Sequence, residues 1–347
     1  HDQALPLLLR CLEAPLATWS IRLLHMQAAC CCQVLKRYEQ AREHYEIALR
    51  EAVREQAQDD VLRCHIRLGE VAFACGEWSV ALHEWQLALR ELQRNEPPED
   101  EPGLAYEVLL NLGKVCQQLG DAKSALRHYR EALRVMGGGN PPLRKEAEAM
   151  FGIGKSCFRL KRYRVAQQCL CQATVQYDSA RDRRSALKAR LELARLLRVI
   201  GERALALHML DECEQVARVL QDSELGAQIV CERAVIWQEQ GRREQAVEGL
   251  SRALRCWSRL SLCGKGVMRL RLADLYAEGE CYEAALREAE RAAAELAEEG
   301  DHAELMKSYQ LLTRLHKHLG DYKRASECVV RVNELMSRQI RGAGILT

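Results

Sequence analysis

The chain has 347 residues, 48% of them hydrophobic but only 5% aromatic, with seven prolines and a formal net charge of +2. That is enough apolar material for a large core, and the near-neutral charge argues against a dedicated nucleic-acid binder, which carries a strong basic excess, though not against a local basic surface. No apolar run approaches the roughly 18 residues needed to span a bilayer, and abundant Ala, Leu, Glu and Arg without β-branched runs predicts an all-helical protein.

The N-terminal stretch HDQALPLLLRCLEAP has a leucine-rich run but no basic segment before it and no small-residue cleavage pattern, so it does not read as a signal peptide. Ala4, Leu8, Cys11 and Pro15 instead match the second helix of a helical repeat, and residues 1–15 are read as a partial copy. The chain starts on His1 rather than methionine, and the expectation is that it was cut from a longer protein, or follows a removed segment, with further repeats or domains before it.

The complete copies are clearest at Asn111–Leu133, NLGKVCQQLGDAKSALRHYREAL. Leu112, Gly113, Cys116 and Leu119, then Ala125, Tyr129 and Ala132, are spaced by threes and fours, the interval that puts residues on one helix face. Between the two sets, Gly120 suits the left-handed position that closes a helix and Asp121 can cap the amides opening the next. Gly113 and Ala125 lack bulk where the two helices must approach. With Gly113 as marker, equivalents fall at Ala29, Gly69, Gly113, Gly154, Ala194, Ala234, Ala273 and Thr313, at intervals of 40, 44, 41, 40, 40, 39 and 40. The second helix keeps step through Ala41, Ala81, Ala125, Ala166, Ala206, Ala246, Ala285 and Ala325, so one unit spans nearly the whole chain eight times.

This pattern resembles the tetratricopeptide repeat, whose signature is W-x2-L-G-x2-Y followed by alanine, an aromatic and alanine. The period near 40 exceeds the usual 34 or so, which requires longer helices or longer connections. It is similar to the long-repeat members, the Pins/LGN-type adaptors and rapsyn-type scaffolds, and NLG followed by LGD is closest to the former. The resemblance implies a right-handed α-solenoid of eight hairpins plus the partial N-terminal repeat. A single superhelix is expected over 1–347, with repeats at 16–54, 55–94, 104–136, 143–179, 184–220, 224–260, 264–299 and 302–340 and a frayed tail at 341–347. Two connections depart from the pattern: NEPPEDEPG, Asn95 to Gly103, and GGGNPP, Gly137 to Pro142, read as solvated surface links. Repeat 8 has Thr313 at the marker and His316 in place of the aromatic, so its packing is the least specified.

In the resembling family, a peptide-binding groove is lined by the first helix of each pair, at −6, −3, −2, +1, +4 and +5 from the marker. Repeats 2 to 5 place Arg63, Arg67, Lys114, Lys155, Arg159, Lys188, Arg195 and Arg198 there against Glu70, Glu107, Glu148 and Glu192, a surplus of four positive charges. Repeats 6 and 7 place Arg271 against Glu232, Glu239, Asp274 and Glu278. A groove basic in its first half would steer an acidic segment; the alternative is that these charges solvate an exposed face. All three phenylalanines of the chain, Phe73, Phe151 and Phe158, also map to the groove and are candidate apolar anchors; the alternative is that they pack between repeats. Asn111 maps there as a candidate for holding a peptide backbone. Clamping a chaperone's C-terminal carboxylate is disfavoured, because the required cations are replaced by Ile66, Glu70, Glu148 and Gly152.

No catalytic constellation appears: there is no glycine-rich phosphate loop and no G-x-S-x-G turn, and His25, His65, His208 and His316 lie at unrelated positions, read as surface or packing residues. No cofactor, metal or small-molecule substrate is implied. The sixteen cysteines contain no C-x2-C pair, and Cys32, Cys116 and Cys157 share one interior position while Cys213 replaces an alanine. They read as small buried hydrophobes in a reducing, intracellular and cytoplasmic setting, with the nucleus left open. RDRRSALKAR, Arg181 to Arg190, is basic but opens a repeat helix without an aromatic neighbour and reads as a solvated face. The expected function is a non-catalytic scaffold or adaptor that binds an acidic peptide with apolar anchors. The alternatives are a structural subunit or spacer using the convex face or array ends and, less favoured, nucleic-acid binding.

Overall fold

Three-residue links set the architecture. The computed structural model describes residues 18–94, 103–136, 143–256, 262–299 and 302–342. The partial repeat at 1–15, the connections at 95–102 and 137–142 and the tail from 343 lie outside them.

Among the described residues there are sixteen helices and no strand: α1 Thr18–Val34, α2 Tyr38–Arg54, α3 Gln58–Ala74, α4 Trp78–Arg94, α5 Leu104–Gln118, α6 Ala122–Met136, α7 Leu143–Arg159, α8 Tyr163–Ser179, α9 Arg183–Ile200, α10 Arg203–Val219, α11 Ser223–Glu239, α12 Arg243–Cys256, α13 Leu262–Glu278, α14 Tyr282–Glu299, α15 His302–His318 and α16 Tyr322–Gly342. Two helices of 17 residues and two links of three account for the 40-residue period, so the extra length over the usual repeat lies in the helices.

Each tight link turns on one left-handed residue. Gly120 has φ +85°, and Asp121 beyond it accepts hydrogen bonds from the backbone N–H groups of Lys123 and Ser124 at 3.1 and 3.0 Å, as the local sequence predicts. The same geometry is forced on Lys36, Gln56, Lys161, Arg181, Gln221 and Glu280, with φ between 53° and 60°. A side chain there costs of order 1 kcal/mol, which shows that packing between helices, rather than local preference, dictates the turn.

The chain packs into two compact units, one ending at Leu160 and the other running from Lys161 to Arg341. In the first, α1 to α7 each pack on the next helix and α5 also meets α7. In the second, α8 to α15 do the same, α9, α11, α13 and α15 also meet in sequence, and α15 shares a core with α16 through Leu311, Leu312, Cys328 and Leu335. Each unit is thus an all-α solenoid of stacked helical hairpins.

What sets the spacing is one register of the second helices, four residues after the repeated alanine: Tyr45, Trp85, Tyr129, Leu170, Leu210, Leu250 and Ala289, each 0–2% exposed. Where this residue is Trp85 or Tyr129, the marker opposite is glycine. A Cβ on Gly69 would lie 2.4 Å from the Trp85 ring, and one on Gly113 2.6 Å from the Tyr129 ring. Leu210 and Leu250 instead face the buried markers Ala194 and Ala234. Bulk and marker are not strictly traded, since the buried Ala29 shares its repeat with Tyr45.

Tyr129 also meets the following repeat: a Cβ on Gly152 of α7 would stand 2.4 Å from its ring. Its hydroxyl donates to Gln117 Oε1 at 3.3 Å, while Gln117 Nε2 donates to the Gly152 carbonyl at 2.9 Å and to Ser156 Oγ at 3.0 Å. Repeat 1 builds the same relay, with Tyr45 donating to Gln33 at 3.1 Å and Gln33 to Glu70 at 3.0 Å.

The thirteen cysteines whose side chains are described are free, and Cys32, Cys116, Cys157 and Cys213 are buried. Burial pushes the Cys116 and Cys213 thiols up to about 11 and Cys64 to about 12, which suits packing rather than reactivity.

Replacing Gly152 with alanine should cost about 1–3 kcal/mol by overpacking the Tyr129 ring, and Gln117→Ala a similar amount by stranding buried polar groups; urea denaturation of the full chain measures both. Asp222 accepts from the Leu225 backbone N–H at 3.1 Å and pairs with Arg184 at 2.6 Å. Burial pushes its carboxyl up, but the Arg184 and Leu225 bonds outweigh this and hold it below the ordinary value. Its stabilisation is present above the unfolded carboxylate pKa of roughly 3.9 and is lost as pH falls through the folded value. Asp222→Ala should therefore cost about 1 kcal/mol near neutrality, a gap that closes in denaturation series taken below about pH 4.

Candidate interaction surface

The first helices carry the candidate residues, and the 3.6-residue turn sorts them into distinct neighbourhoods. In the first unit a cleft of about 310 Å3 opens across α1, α3 and α5. Its walls include Leu23, Met26, Ile66, Arg63, Arg67 and Glu107, all at register positions −6, −3 or −2 of their repeats. Arg63 lies 3.4 Å from Asp60, and Arg67 pairs with Glu70 at 3.0 Å.

Half of the eight candidate cations bridge neighbouring helices. Lys114 on α5 pairs with Glu148 on α7 at 2.7 Å and reaches Asn111 Oδ1 at 3.4 Å. In the second unit Arg195 meets Glu192 at 2.7 Å and Glu232 at 3.3 Å, and Arg198 meets Glu232 and Glu239, both at 2.6 Å. Lys188 is exposed, and its charge acts on Asp222. Glu148 and Glu70 are thus the ion-pair partners of Lys114 and Arg67.

The +4 position is a strut between repeats. Gln33 donates to Glu70, Gln117 to Gly152 and Ser156, Arg198 to Glu232, and Gln238 to Glu278. Phe73 occupies the same position, and its ring packs on Trp78 at 4.9 Å, edge to face, and on Trp85 at 5.6 Å. Phe73, a candidate apolar anchor, is thus partly buried against the hairpin core in the one repeat of the first three that has tryptophan rather than tyrosine behind it. Phe158 holds the same position in repeat 4 and is half-buried.

Phe151, at −3 on α7, is different. It is half-buried, and Lys155 sets its ammonium 5.5 Å above the ring centroid. Arg159, one turn further and exposed, donates to the Gln117 carbonyl at 2.6 Å. Neither a ring face nor a carbonyl cancels a charge, so Lys155 and Arg159 keep α7 cationic beside an aromatic.

A second cleft, of about 600 Å3, lies between α13, α15 and α16. Leu270, Arg271, Asp274, Lys307, Gln310 and Arg314 line it, again at register positions, with Val329 and Val332 forming an apolar wall. Arg314 reaches Asp274 at 3.5 Å, and burial raises the Asp274 carboxyl against the pull of Arg271 and Arg314. Site residues of repeat 8 were not anticipated from the sequence; the signal available was the register itself, carried one repeat further.

The histidines serve separate local contacts. His25 and His44 meet through Nδ1 at 2.8 Å, His65 meets Glu84 at 2.8 Å, and His316 is buried. Among the described residues no three His, Cys, Asp or Glu side chains gather as metal ligands, and no helix is long and apolar enough to cross a membrane.

Comparison with known proteins bears on the fold. Residues 104–179 match the family described as tetratricopeptide repeat. Residues 155–254 and 266–329 match the family described as anaphase-promoting complex subunit 5. No curated protein matches. Among solved structures, a tetratricopeptide repeat protein from Parabacteroides merdae superposes with a TM-score of 0.61 at 17% identity, covering 83% of this chain and 99% of that one. Aspartyl phosphate phosphatase F from Bacillus subtilis gives 0.61 at 13%, covering 86% and 76%. A Rap protein complexed with competence and sporulation factor gives 0.56 at 14%, covering 94% and 100%. These identities establish the shared fold. The helical hairpins within residues 104–179 are repeats of the tetratricopeptide family.

Proposed function

We propose that the chain is a non-catalytic interaction scaffold whose first unit binds an acidic segment of a partner protein. The observation that supports this most directly is the unneutralised pair Lys155 and Arg159 beside the half-buried Phe151, on a surface where neighbouring cations are held by carboxylates. An acidic side chain would settle over Lys155 and Arg159 and an apolar one against Phe151, while Asn111, tied to Lys114 at 3.4 Å, offers its amide to the ligand backbone. Arg63 and Arg67 in the adjoining cleft extend this surface. Tetratricopeptide arrays in general serve as protein-interaction scaffolds, and one structural neighbour is a Rap protein complexed with a factor. On this reading Lys188, Arg195 and Arg198 form a separate surface of the second unit.

A second reading is favoured by the match to the anaphase-promoting complex subunit 5 family, whose name denotes a subunit of a larger assembly. The chain would then be a structural subunit, and an intact ligand surface on α7 would be dispensable for its place in the assembly.

The double variant Lys155→Glu with Arg159→Glu should weaken binding to an acidic partner segment at least about tenfold. Both side chains are solvent-accessible, so the circular dichroism melt should stay within about a degree of the parent, since surface changes of this kind shift stability by only ~0.5 kcal/mol. Calorimetric titration decides the matter: unchanged affinity removes the peptide-binding reading and leaves the subunit reading.

A further inference from the structure

One polar contact recurs inside the hairpins at a fixed register. The residue four before the marker on the first helix meets the residue three after the repeated alanine on the second, 19 positions further along the chain. In repeat 2 this is His65 with Glu84 at 2.8 Å, and in repeat 7 Arg269 with Glu288 at 2.7 Å, each a basic group on a carboxylate. Repeat 1 departs from them: His25 on α1 meets His44 on α2 through Nδ1 at 2.8 Å, with the ring centroids 5.1 Å apart. An imidazole thus stands where the other two hold a carboxylate. His25 and His65, which look unrelated in the sequence, occupy one position of the repeat.

At this separation one Nδ1–H donates and the other Nδ1 accepts. A first proton leaves the bond in place but puts a cation in a half-buried contact with no carboxylate across from it; a second leaves two N–H groups facing each other with no lone pair between them. The surroundings supply little relief. Glu51 pulls on His25 and Glu43 on His44, both from α2, and Glu51 also lies 3.7 Å from Arg54. On α1, Arg22 pairs with Glu55 and Asp60, while α3, packed on α2, turns Asp60 to Arg22 and Arg63, and Glu70 to Gln33 and Arg67. Burial, joined for His25 by the neighbouring imidazole, holds both histidines below their ordinary value against the pull of Glu51 and Glu43. A histidine lowered in this way contributes stability that is present above the unfolded value of roughly 6.5 and is lost as pH falls below it toward the folded value.

We propose that the first hairpin is an acid-released element of the fold, in which protonation of the His25–His44 pair loosens α1 from α2 while the hairpins backed by a carboxylate stay closed. The release has a consequence for the first unit. α1 supplies Leu23 and Met26 to the cleft that Arg63 and Arg67 line, and Tyr45, next to His44, holds the Gln33 that spans to Glu70. Loosening α1 removes that wall and the relay together, so the cleft is whole at neutral pH and open-sided in acid. The device is independent of whether α7 binds a peptide or the chain serves as a subunit.

Hydrogen–deuterium exchange of the full chain at about pH 7.5 and about pH 5.5, on either side of the unfolded histidine value, tests this when read as protection factors that remove the intrinsic pH dependence of exchange. Protection of α1 and α2 should fall at least about tenfold on acidification, the factor given by one unit of pKa difference, while α3, α4, α13 and α14 change by less than about twofold. His44→Glu copies the His65–Glu84 arrangement and should keep α1 and α2 protected in acid; His44→Gln, which leaves a single titrating ring, should show an intermediate loss. Parent protection that is unchanged between the two pH values overturns the proposal, as does a loss that His44→Glu leaves in place, or one shared equally by α3 and α4. If one variant is already unprotected at neutral pH, the other and the parent decide the matter.

Discussion

The structure depends on how closely a bulky second-helix residue is allowed to approach two first helices. Tyr129 is the fullest case: its ring lies where Cβ atoms on both Gly113 and Gly152 would clash, so one side chain fixes the hairpin behind it and the repeat after it. Close-packed interiors tolerate little change in volume, and glycine opposite Trp85 and Tyr129 is that constraint met at two successive repeats. Hydrogen bonds follow the same route, since the hydroxyl of Tyr129 holds Gln117, which in turn spans to α7.

Stacking in this way also decides what the charged residues do. First helices in adjacent repeats present the same positions to one another, so a cation at +1 or +4 meets whatever the next helix carries at −6, −2, +1 or +5. Lys114 with Glu148 and Arg198 with Glu232 and Glu239 result from this. Partly exposed pairs of this kind add modestly to stability, but they remove charge from the surface that a ligand would meet. The residues left with positive potential are therefore few and local, as at Lys155 and Arg159, rather than distributed over the whole array.

The spacing of small and bulky apolar residues determined the helix pairs, their register and the repeat number of the complete copies, because a 3.6-residue turn leaves a direct imprint in sequence. The turn at Gly120 and Asp121 was legible for the same reason: both residues act through their own backbone neighbourhood. The left-handed turns at Lys36 or Gln221 were not, since nothing local favours them and helix packing imposes them.

Positions along the first helices could be numbered from sequence, and the residues at −6, −3 and −2 do line clefts. What each side chain does there was left to tertiary structure. Phe73 and Phe151 are both aromatic residues at mapped positions, yet Phe73 faces Trp78 and Trp85 while Phe151 stays half-buried under Lys155. Sequence alone determined that this is an array of long helical hairpins; only the folded arrangement decided which charges are cancelled and which apolar residues are covered. The physical reason is that periodicity is a property of one helix, whereas burial and ion pairing belong to the contact between two.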